Sequence, residues 1–365
     1  MLHGNICFFS GDITRSGGTE RVTSVIINNL YKLERYTISI LSLEMVNNEP
    51  FFFINKEVRL ESLYKKGNNF SKNPIRTIVK LRHYIKSRKI DVLIDIDTIL
   101  DVFSVPATRY TKTKLIAWEH FNYYENLGVK YRDWGRKLSA RFADAIVTIT
   151  KEDKQYLKKE LNPKCPIYQI YNPIDIQERS NPYSVESKII LSAGRLTYQK
   201  GFDLLVDIAE IVLKKYFDWK WIILGEGKDR QQIEDKINNS GLQNHVILKG
   251  NVKNINEFYN QASIFVLTSR YEGFGLVLTE AKSFKLPCVS FACKAGPSEI
   301  IEDGVNGFLV ECFNMEKMAN RIMTLIESKD LRLEFSKCAL FETERFSINT
   351  VIEEWGKIID SILRK

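Results

Sequence analysis

The stretch that decides the fold is Arg270-Tyr271-Glu272-Gly273-Phe274-Gly275-Leu276-Val277-Leu278-Thr279-Glu280-Ala281. It follows an apolar run at 262–267, which predicts a buried strand, and it leads into a segment at 276–284, which predicts a helix. A strand, a turn with glycines and a helix start are the parts from which an open α/β sheet builds a ligand site. The stretch therefore predicts a Rossmann-like domain with its site at the carboxyl ends of the strands.

The side chains of this stretch indicate the kind of ligand. Glu272 and Glu280 are eight residues apart, close to two helical turns of about 7.2 residues, and so project to similar faces. Gly273 and Gly275 allow backbone N–H groups to approach a ligand, and a helix start favours an anion. Carboxylates that accept hydroxyls beside amides that hold phosphate predict a nucleotide that carries a sugar. The alternative is a helix start whose acidic residues only favour the dipole.

Length and composition limit the class of protein. A chain of 365 residues fits two domains, and 44% apolar with 27% charged residues is ordinary for a soluble globular protein. No apolar run approaches the roughly 18 residues that span a bilayer, and residues 1–9 are too short for a signal peptide, so a cytoplasmic location is expected. The six cysteines form no C-x-x-C pair, which predicts reduced thiols rather than disulfides or a zinc site.

The positive charge is concentrated in the first half of the chain. Residues 1–172 carry 28 Lys+Arg and 18 Asp+Glu, whereas residues 173–365 carry 25 and 27. The stretch 56–89 has eleven Lys+Arg against two Glu, and its apolar residues recur at helical spacing. It predicts either an ordinary solvated Rossmann helix or a surface that lies on anionic lipid.

The chain opens with a second strand–turn–helix pattern. Asn5-Ile6-Cys7-Phe8-Phe9 predicts a strand, and apolar residues from Val22 to Leu30 recur at helical spacing. Between them, Gly17 and Gly18 would let main chain approach a diphosphate. The pattern is not G-x-G-x-x-G, so it gives little support to a dinucleotide site, and a plain tight turn is the alternative.

Polar residues end the next two predicted strands. The apolar run 90–94 ends in Asp95-Ile96-Asp97, whose spacing invites a metal interpretation, and Asp97 is a candidate for contacting an acceptor hydroxyl. The run 115–118 ends in Glu119-His120-Phe121, so His120 is expected where a strand opens onto a cleft.

Aromatic and basic residues interleave after His120. Tyr123 and Tyr124 begin the set, which continues with Tyr131 and Trp134 among lysines and arginines up to Arg141. This mixture fits nucleic acid, a sugar platform or a lipid headgroup. Because the chain has no nucleic-acid motif, we expect an acceptor lip that binds a diphosphate-linked lipid, and no nucleic acid.

The domain boundary is expected at Asn172-Pro173-Ile174-Asp175, with Pro182 beyond it. This gives a first domain at 1–172, a second at 173–347, and an amphipathic C-terminal helix at about 348–365. In the second domain, Arg195 and Lys200 leave a strand-to-helix turn together, where a guanidinium can bind phosphate bidentately and an ammonium adds a point charge. Two merely exposed cations are the alternative.

These motifs together resemble a known family. E-G-F-G-L-V-L-T-E-A at 272–281 is similar to the E-x7-E signature of the retaining glycosyltransferases of family four. G-G-T-E-R at 17–21, G-R-L-T-Y-Q-K-G at 194–201 and D-G-V-N-G-F-L-V at 303–310 also match patterns of that family. The resemblance implies the α/β fold called GT-B, in which two Rossmann-like domains face a central cleft and the last helix crosses back to the first domain.

The resemblance also implies roles for single residues. It gives a catalytic set of His120, Arg195, Lys200 and Glu272, with Glu280 on the ribose of a nucleoside-diphosphate sugar that is most often UDP-linked. Donor-binding residues would be Gly17, Gly18, Arg195, Lys200, Val252, Glu272, Gly273, Phe274, Gly275, Leu276 and Glu280. The acceptor-binding candidates Asp97, Tyr123 and Tyr124 come from their own positions in the sequence rather than from the resemblance. Enzymes of this fold generally hold the diphosphate with cations, so no metal and no cofactor is expected, and the Asp95/Asp97 metal interpretation is set aside.

The implied partners are a nucleoside-diphosphate sugar and a saccharide acceptor, as in bacterial capsule or O-antigen assembly. A lipid-linked acceptor would bring the basic first domain to the inner face of the plasma membrane. Two alternatives stay open: a UDP-sugar 2-epimerase of the same fold, which needs no acceptor, and a non-catalytic nucleotide-binding protein, which would release no UDP.

Overall fold

The computed structural model describes residues 4–65, 73–174 and 183–364. The chain divides into two compact units, one of Met1–Pro173 with Arg345–Lys365 and the other of Ile174–Glu344. The division follows Pro173, one residue beyond the end of the first domain expected from the sequence. Asp175 and Pro182, which the sequence assigned to the connection, lie outside the described residues.

Within its described residues, the first unit is built on a parallel sheet of seven strands in the order β3-β2-β1-β4-β5-β6-β7. The chain begins with β1 in the middle of the sheet, adds β2 and β3 on one side of it, and then adds β4 to β7 on the other side. The boundary between β1 and β4, where the side changes, is the topological switch point of such sheets. The strands are β1 Gly4–Ser10, β2 Tyr36–Glu44, β3 Arg59–Tyr64, β4 Val92–Ile96, β5 Lys114–Glu119, β6 Ala145–Thr148 and β7 Ile167–Gln169.

Helices connect these parallel strands. They are α1 Gly18–Tyr31, α2 Pro74–Ser87, α3 Asp101–Thr108, α4 Lys130–Phe142 and α5 Lys151–Leu161. The helical spacing noted in the sequence is that of buried side chains: Val22, Ile26 and Leu30 on α1 are at most 3% exposed. The strand and helix predicted at the start of the chain are confirmed.

Within its described residues, the second unit has a parallel sheet of six strands in the order β10-β9-β8-β11-β12-β13. The strands are β8 Ile189–Ala193, β9 Lys220–Leu224, β10 Val246–Gly250, β11 Ile264–Leu267, β12 Cys288–Phe291 and β13 Gly307–Val310. The helices are α6 Phe202–Lys215, α7 Arg230–Asn239, α8 Ile255–Gln261, α9 Leu276–Ser283, α10 Pro297–Ile300, α11 Met315–Glu327 and α12 Lys329–Lys337. Both sheets have the architecture that the sequence predicts.

The last helix, α13 at Ile348–Leu363, belongs to the first unit. Its apolar stripe is buried, and the Trp355 ring packs edge-on against the Trp118 ring of β5 at 4.9 Å between centroids. The Tyr36 hydroxyl of β2 donates to the Asp360 carboxylate at 2.6 Å. The predicted return of the C-terminal helix to the first domain is confirmed. Among the described residues, none of the helices is both long and apolar enough to cross a membrane.

Candidate functional site

The stretch at 270–281 lies at the carboxyl edge of the second unit's sheet. It leaves β11 after Leu267 and enters α9 at Leu276, with Gly275 in the left-handed region at φ +98°. Neither a side chain nor a proline caps this helix start, so its first N–H groups point toward the loop. The predicted strand, turn and helix are confirmed, and Phe274 anchors the turn in the core, where it is 2% exposed.

Two predicted site residues from distant parts of the chain meet here. The Lys200 ammonium lies 2.6 Å from Glu272 Oε1, and the Ser269 hydroxyl donates to the same oxygen at 2.6 Å. The Glu272 side chain is only 5% exposed and that of Lys200 15% exposed. Removing one partner would leave the other charge buried without compensation, which costs roughly 3–5 kcal/mol for a buried pair. Lys200 and Glu272 therefore form one charged unit.

Arg195 has a different environment. It follows β8 in the same loop as Lys200, its side chain is exposed, and it forms no ion pair with any residue in the described ranges. Its guanidinium is therefore available to a ligand without the loss of an internal contact.

The second glutamate of the motif is held by another element. The Tyr259 hydroxyl of α8 donates to Glu280 Oε2 at 2.9 Å, and Glu280 is half-buried. Glu272 and Glu280 are thus fixed by different neighbours, although both lie on the segment that leaves β11. Val252 follows β10 and is half-buried, and the adjoining loops are close, since the Gly225 amide donates to the Gly250 carbonyl at 2.9 Å.

A pair that the sequence did not identify joins the two loops of this site. The Arg270 guanidinium binds both carboxylate oxygens of Asp203, at 2.8 and 2.6 Å, and also donates to the Tyr198 carbonyl at 2.7 Å. The Arg270 amide donates to the Gln199 carbonyl at 2.8 Å. This clamp ties the loop that carries Lys200 to the turn that carries Glu272.

Glycine is required where these loops meet. Gly201 has φ +65°, and a Cβ there would lie 2.1 Å from the Thr268 carbonyl oxygen. The Thr268 hydroxyl donates to the carbonyls of Lys200 and Gly201 at 3.2 and 3.0 Å. Only a residue without a side chain lets the two backbones approach so closely.

In the first unit, His120 follows β5 at the carboxyl edge of the sheet. It is 6% exposed, and its ring packs on the Trp118 ring at 4.1 Å between centroids. Burial lowers the pKa of the imidazole to about 3, so the ring is neutral at pH 7. Its Nε2 has no hydrogen-bond partner among the described residues. A neutral ring with a free nitrogen suits a hydrogen bond to a ligand better than transfer of a proton near pH 7.

A buried ion pair shapes the loop after His120, and sequence reasoning missed it. The Arg136 guanidinium donates to Glu119 Oε2 at 2.6 Å and to the Tyr123 carbonyl at 2.6 Å. The other Glu119 oxygen accepts the Phe121 amide at 3.0 Å. Burial opposes ionisation of Glu119, but the Arg136 charge outweighs it and lowers the pKa of that carboxyl. One local signal was available: Arg136 lies four residues before the buried Ala140 and therefore on the same face of α4.

The Asp95-Ile96-Asp97 motif differs from its sequence interpretation. Alternate positions on a strand could bring both carboxylates to the cleft, but β4 runs through Asp95 to Ile96, and Asp95 is wholly buried and accepts from the Ser104 hydroxyl at 2.8 Å. Asp95 is therefore part of the core and does not reach the cleft. Asp97 lies beyond the strand and is bound by the buried Arg132 at 2.8 Å. Its carboxylate is already partnered.

The remaining predicted residues lie on loops at the same edge. Gly17 precedes α1, Gly18 is its first residue, and the Glu20 carboxylate folds over the helix start, since a Cβ on Gly17 would lie 2.3 Å from it. An internal carboxylate thus holds the place where an anion was expected. Tyr123 is half-buried, and the exposed Tyr124 donates through its hydroxyl to Glu160 at 3.0 Å.

Two family models match the chain. The model described as "Glycosyltransferase Family 4" matches residues 16–178, and the model described as "Glycosyl transferases group 1" matches residues 174–340. The first match lies on the unit that carries His120 and the second on the unit that carries Arg195, Lys200 and both glutamates.

Individual proteins are similar along their whole length. An uncharacterized glycosyltransferase of Haemophilus influenzae is 31% identical over 97% of this chain and 99% of its own. A Campylobacter jejuni enzyme, a GalNAc-alpha-(1->4)-GalNAc-alpha-(1->3)-diNAcBac-PP-undecaprenol alpha-1,4-N-acetyl-D-galactosaminyltransferase, is 27% identical over 95% and 96%. The crystal structure of S. aureus TarM with UDP superposes with a TM-score of 0.78 at 16% identity over the whole of both chains, which shows a shared fold.

Proposed function

We propose that this chain, which belongs to the glycosyltransferases of family four, moves a sugar from a UDP-linked donor to a lipid-diphosphate-linked saccharide with retention of configuration. It is a glycosyltransferase of the bacterial surface-polysaccharide type. Beyond that class, we propose the UDP donor, retention of configuration, the lipid-linked acceptor of capsule or O-antigen assembly, and the residue roles described below. The observation that carries it is the meeting of Lys200 and Glu272 at a helix start that offers N–H groups, with the exposed Arg195 in the same loop as Lys200 and without an ion pair among the described residues.

The second unit supplies the chemistry that a nucleoside-diphosphate sugar needs. Arg195 and Lys200 offset the charge that grows on the departing diphosphate, which is a preorganised electrostatic role. Glu280 accepts hydrogen bonds from the ribose hydroxyls, with Tyr259 fixing its orientation. Glu272 and the backbone at 273–276 bind the transferred sugar and the phosphates. When the diphosphate arrives, Lys200 exchanges part of its contact with Glu272 for phosphate oxygens.

The first unit supplies a neutral hydrogen-bonding group. His120 lies near the anomeric centre in this proposal, where its free Nε2 binds a hydroxyl of the transferred sugar. With a pKa of about 3, it does not act as the general base at neutral pH. No protein nucleophile is assigned, and the departing phosphate takes up the proton of the acceptor hydroxyl.

Similar proteins support both the proposed donor and the proposed acceptor. TarM was crystallised with UDP, and the Campylobacter jejuni relative acts on an undecaprenol-diphosphate saccharide.

The excess of Lys+Arg in residues 1–172 favours a peripheral location at an anionic membrane surface on the cytoplasmic side. Flotation with anionic and neutral vesicles tests that location, and equal binding to both would contradict it.

The deciding experiment is transfer of labelled sugar from UDP-sugars to an isoprenoid-diphosphate saccharide, with and without EDTA. We expect release of UDP only when acceptor is present, a product with the donor's anomeric configuration by NMR, and no effect of EDTA. A new UDP-sugar formed without acceptor would instead identify an epimerase. A thermal-shift panel with UDP, GDP and ADP fixes the nucleotide, since ligand at about 100 times its Kd adds roughly 2.7 kcal/mol.

A further inference from the structure

Two arginines of α4 bind the inner side of the loop that follows β5, called here the His120 loop and comprising residues 120–129. Arg132 and Arg136 are four residues apart and therefore lie on one face of the helix, and they are only 5% and 1% exposed. They face the interior of the unit and are not part of an exposed basic lip. Burying a guanidinium is costly unless its N–H groups are bonded, so the partners of both side chains are informative.

Arg136 binds one carboxylate and three backbone carbonyls. Its Nε donates to Glu119 Oε2 at 2.6 Å, at the end of β5. Its Nη1 donates to the Tyr123 carbonyl at 2.6 Å, and its Nη2 donates to the carbonyls of Asn122 and Glu125 at 3.0 and 3.3 Å. The planar guanidinium holds several acceptors in fixed directions, which the compact ammonium of a lysine cannot do. Arg136 therefore fixes the direction of three carbonyls in the His120 loop.

Arg132 extends this arrangement one turn earlier in α4. Its Nη2 donates to Asp97 Oδ2 at 2.8 Å, just beyond β4, and its Nη1 donates to the Asn126 carbonyl at 2.8 Å. The guanidinium also lies 4.3 Å from the ring centroid of Phe121. The two arginines thus connect α4 with the carboxyl ends of β4 and β5 and with the His120 loop along most of its length.

The backbone around these arginines is closely specified. A Cβ on Gly135 would lie 1.9 Å from the Thr98 carbonyl oxygen, so only glycine lets α4 approach the turn after β4 to this distance. Asp97 in that turn has φ +92°, a conformation that residues other than glycine rarely adopt. Such a conformation costs roughly 1–3 kcal/mol and persists only where surrounding contacts enforce it. The bond from Arg132 to Asp97 is one of those contacts.

Stability alone does not account for this arrangement. Apolar side chains of similar volume in place of a buried ion pair often leave stability unchanged or raise it. Apolar side chains cannot, however, direct backbone carbonyls. The amides of the loop are held as well, since the Phe121 amide donates to Glu119 at 3.0 Å and the Tyr123 amide donates to Asp153 at 3.0 Å. Both the donors and the acceptors of the loop backbone are therefore fixed by buried side chains.

We propose that Arg132 and Arg136 are positioning residues for sugar transfer, which set the conformation of the His120 loop and thereby the places of His120 and Tyr123. This inference rests on the proposed function, in which His120 binds the transferred sugar. Neither arginine touches a substrate. Loss of either should therefore reduce turnover but leave nucleotide binding unchanged, because the residues assigned to the nucleotide belong to the second unit.

The test compares Arg136→Lys with Arg332→Lys in the full-length enzyme. Arg136→Lys keeps a positive charge beside Glu119 but loses the planar group that directs the carbonyls. Arg332 is the matched control in the second unit, because it is 2% exposed and also binds backbone carbonyls, including those of Ile326 and Val185 at 2.9 and 2.7 Å. We expect both variants to lower Tm. Only Arg136→Lys should lower kcat, by a factor of roughly 10–100, as for other small misplacements of reacting groups.

Two further measurements separate positioning from a loss of stability. The Kd for UDP, measured by calorimetry well below Tm, should stay within about twofold of the wild type in both variants. Guanidinium chloride at millimolar concentration should restore part of the kcat of Arg136→Ala, because the free cation can bind the vacated acceptors, whereas sodium chloride should not. If Arg136→Ala does not fold, Arg136→Lys still decides the question.

Three results would overturn the proposal. The first is a wild-type kcat in Arg136→Lys, and the second is an equal fall of kcat in Arg332→Lys. The third is an equal effect of guanidinium chloride and sodium chloride on folded Arg136→Ala.

Failure of the inference is distinguishable from failure of the proposed function. If the wild type glycosylates no acceptor, the proposed function fails. Hydrogen exchange of the amides at 121–128 then still decides whether the arginines hold the loop. Faster exchange of these amides in Arg136→Lys but not in Arg332→Lys would support that role, and unchanged protection in Arg136→Lys would overturn it.

Discussion

At the scale of single residues, the two candidate diphosphate cations differ in how cleanly they can be tested. Lys200 is paired with the buried Glu272, so its removal also disturbs the fold, whereas Arg195 is exposed and has no ion-pair partner among the described residues. We expect Arg195→Ala to lower kcat by roughly 10²–10³, by analogy with the loss of one oxyanion donor, with an unchanged Tm. Steady-state kinetics and thermal melting measure both. Lys220→Ala, an exposed lysine at the opposite edge of the same sheet, is the control.

A second residue-scale prediction concerns the ribose. Glu280→Ala should weaken UDP binding by roughly 1.5–3 kcal/mol, the range for hydrogen bonds to a charged group. Tyr259→Phe removes only the hydroxyl that holds Glu280 in place and should cost less. Calorimetric titration with UDP compares the two variants. Normal UDP binding by Glu280→Ala would remove the ribose role from Glu280.

At the scale of elements, the Arg270–Asp203 clamp connects two loops whose charged residues must meet. Asp203→Asn should destabilise the second unit by about 1–3 kcal/mol, because the side chains are partly buried and the bidentate pair is lost. It should also raise KM for the donor, because the loop of Lys200 and the turn of Glu272 are no longer held together. Exchanging the pair as Arg270→Asp with Asp203→Arg should restore part of the stability. A donor KM unchanged in Asp203→Asn would limit the clamp to a structural role.

The C-terminal helix makes its own element-scale prediction. Trp355 is wholly buried against Trp118, so Trp355→Ala should destabilise the first unit by about 3–5 kcal/mol, as for other buried aromatic truncations. Hydrogen exchange resolved by segment measures this, because the loss should appear in β4 and β5 and not in the second unit. Uniform loss of protection across both units would show that they unfold together.

The elements themselves were predictable from local patterns, whereas the contacts of the site were not. Apolar periodicity located β11, α9 and α13 because burial imposes that periodicity on the sequence. The bond between Arg270 and Asp203 spans 67 residues, and nothing local marks the two side chains as partners. Nor does any local pattern show that Asp95 lies inside the sheet, because the hydroxyl that binds it, that of Ser104, comes from α3.

At the scale of the whole molecule, buried ionisable groups should make stability depend on pH. Burial raises the pKa of the Asp95 carboxyl to about 7, so the native state keeps a proton that the unfolded chain releases above about pH 4. Fewer protons on the unfolded state mean that stability falls as pH rises from about 4 through about 7. His120 has the opposite effect, because burial lowers its pKa to about 3 and stability falls as pH drops below about 6.5.

The variant Asp95→Asn removes one carboxyl of the interacting Asp95 and Asp101 pair and leaves His120 in place, so it separates the contribution of these carboxyls from that of the histidine. The free energy of unfolding of Asp95→Asn, measured relative to that of the wild type, should increase as the pH is raised from 5 to 8. Urea unfolding at the two pH values measures the change in midpoint. A relative stability that is independent of pH, or that changes in the opposite direction, would contradict a protonated Asp95 in the native state.

The return of α13 to the first unit sets the order of events during synthesis. The first 173 residues leave the ribosome before the second unit, but the helix that packs on their sheet is made only after that unit. At about 5–20 residues per second, the intervening second unit takes on the order of 10–30 s to appear. During that interval Tyr36 and Trp118 lack the helix against which they pack in the finished protein. The nascent first half therefore presents an uncovered apolar face, which is the kind of surface that chaperones bind, and a chain that stops before α13 keeps that face uncovered.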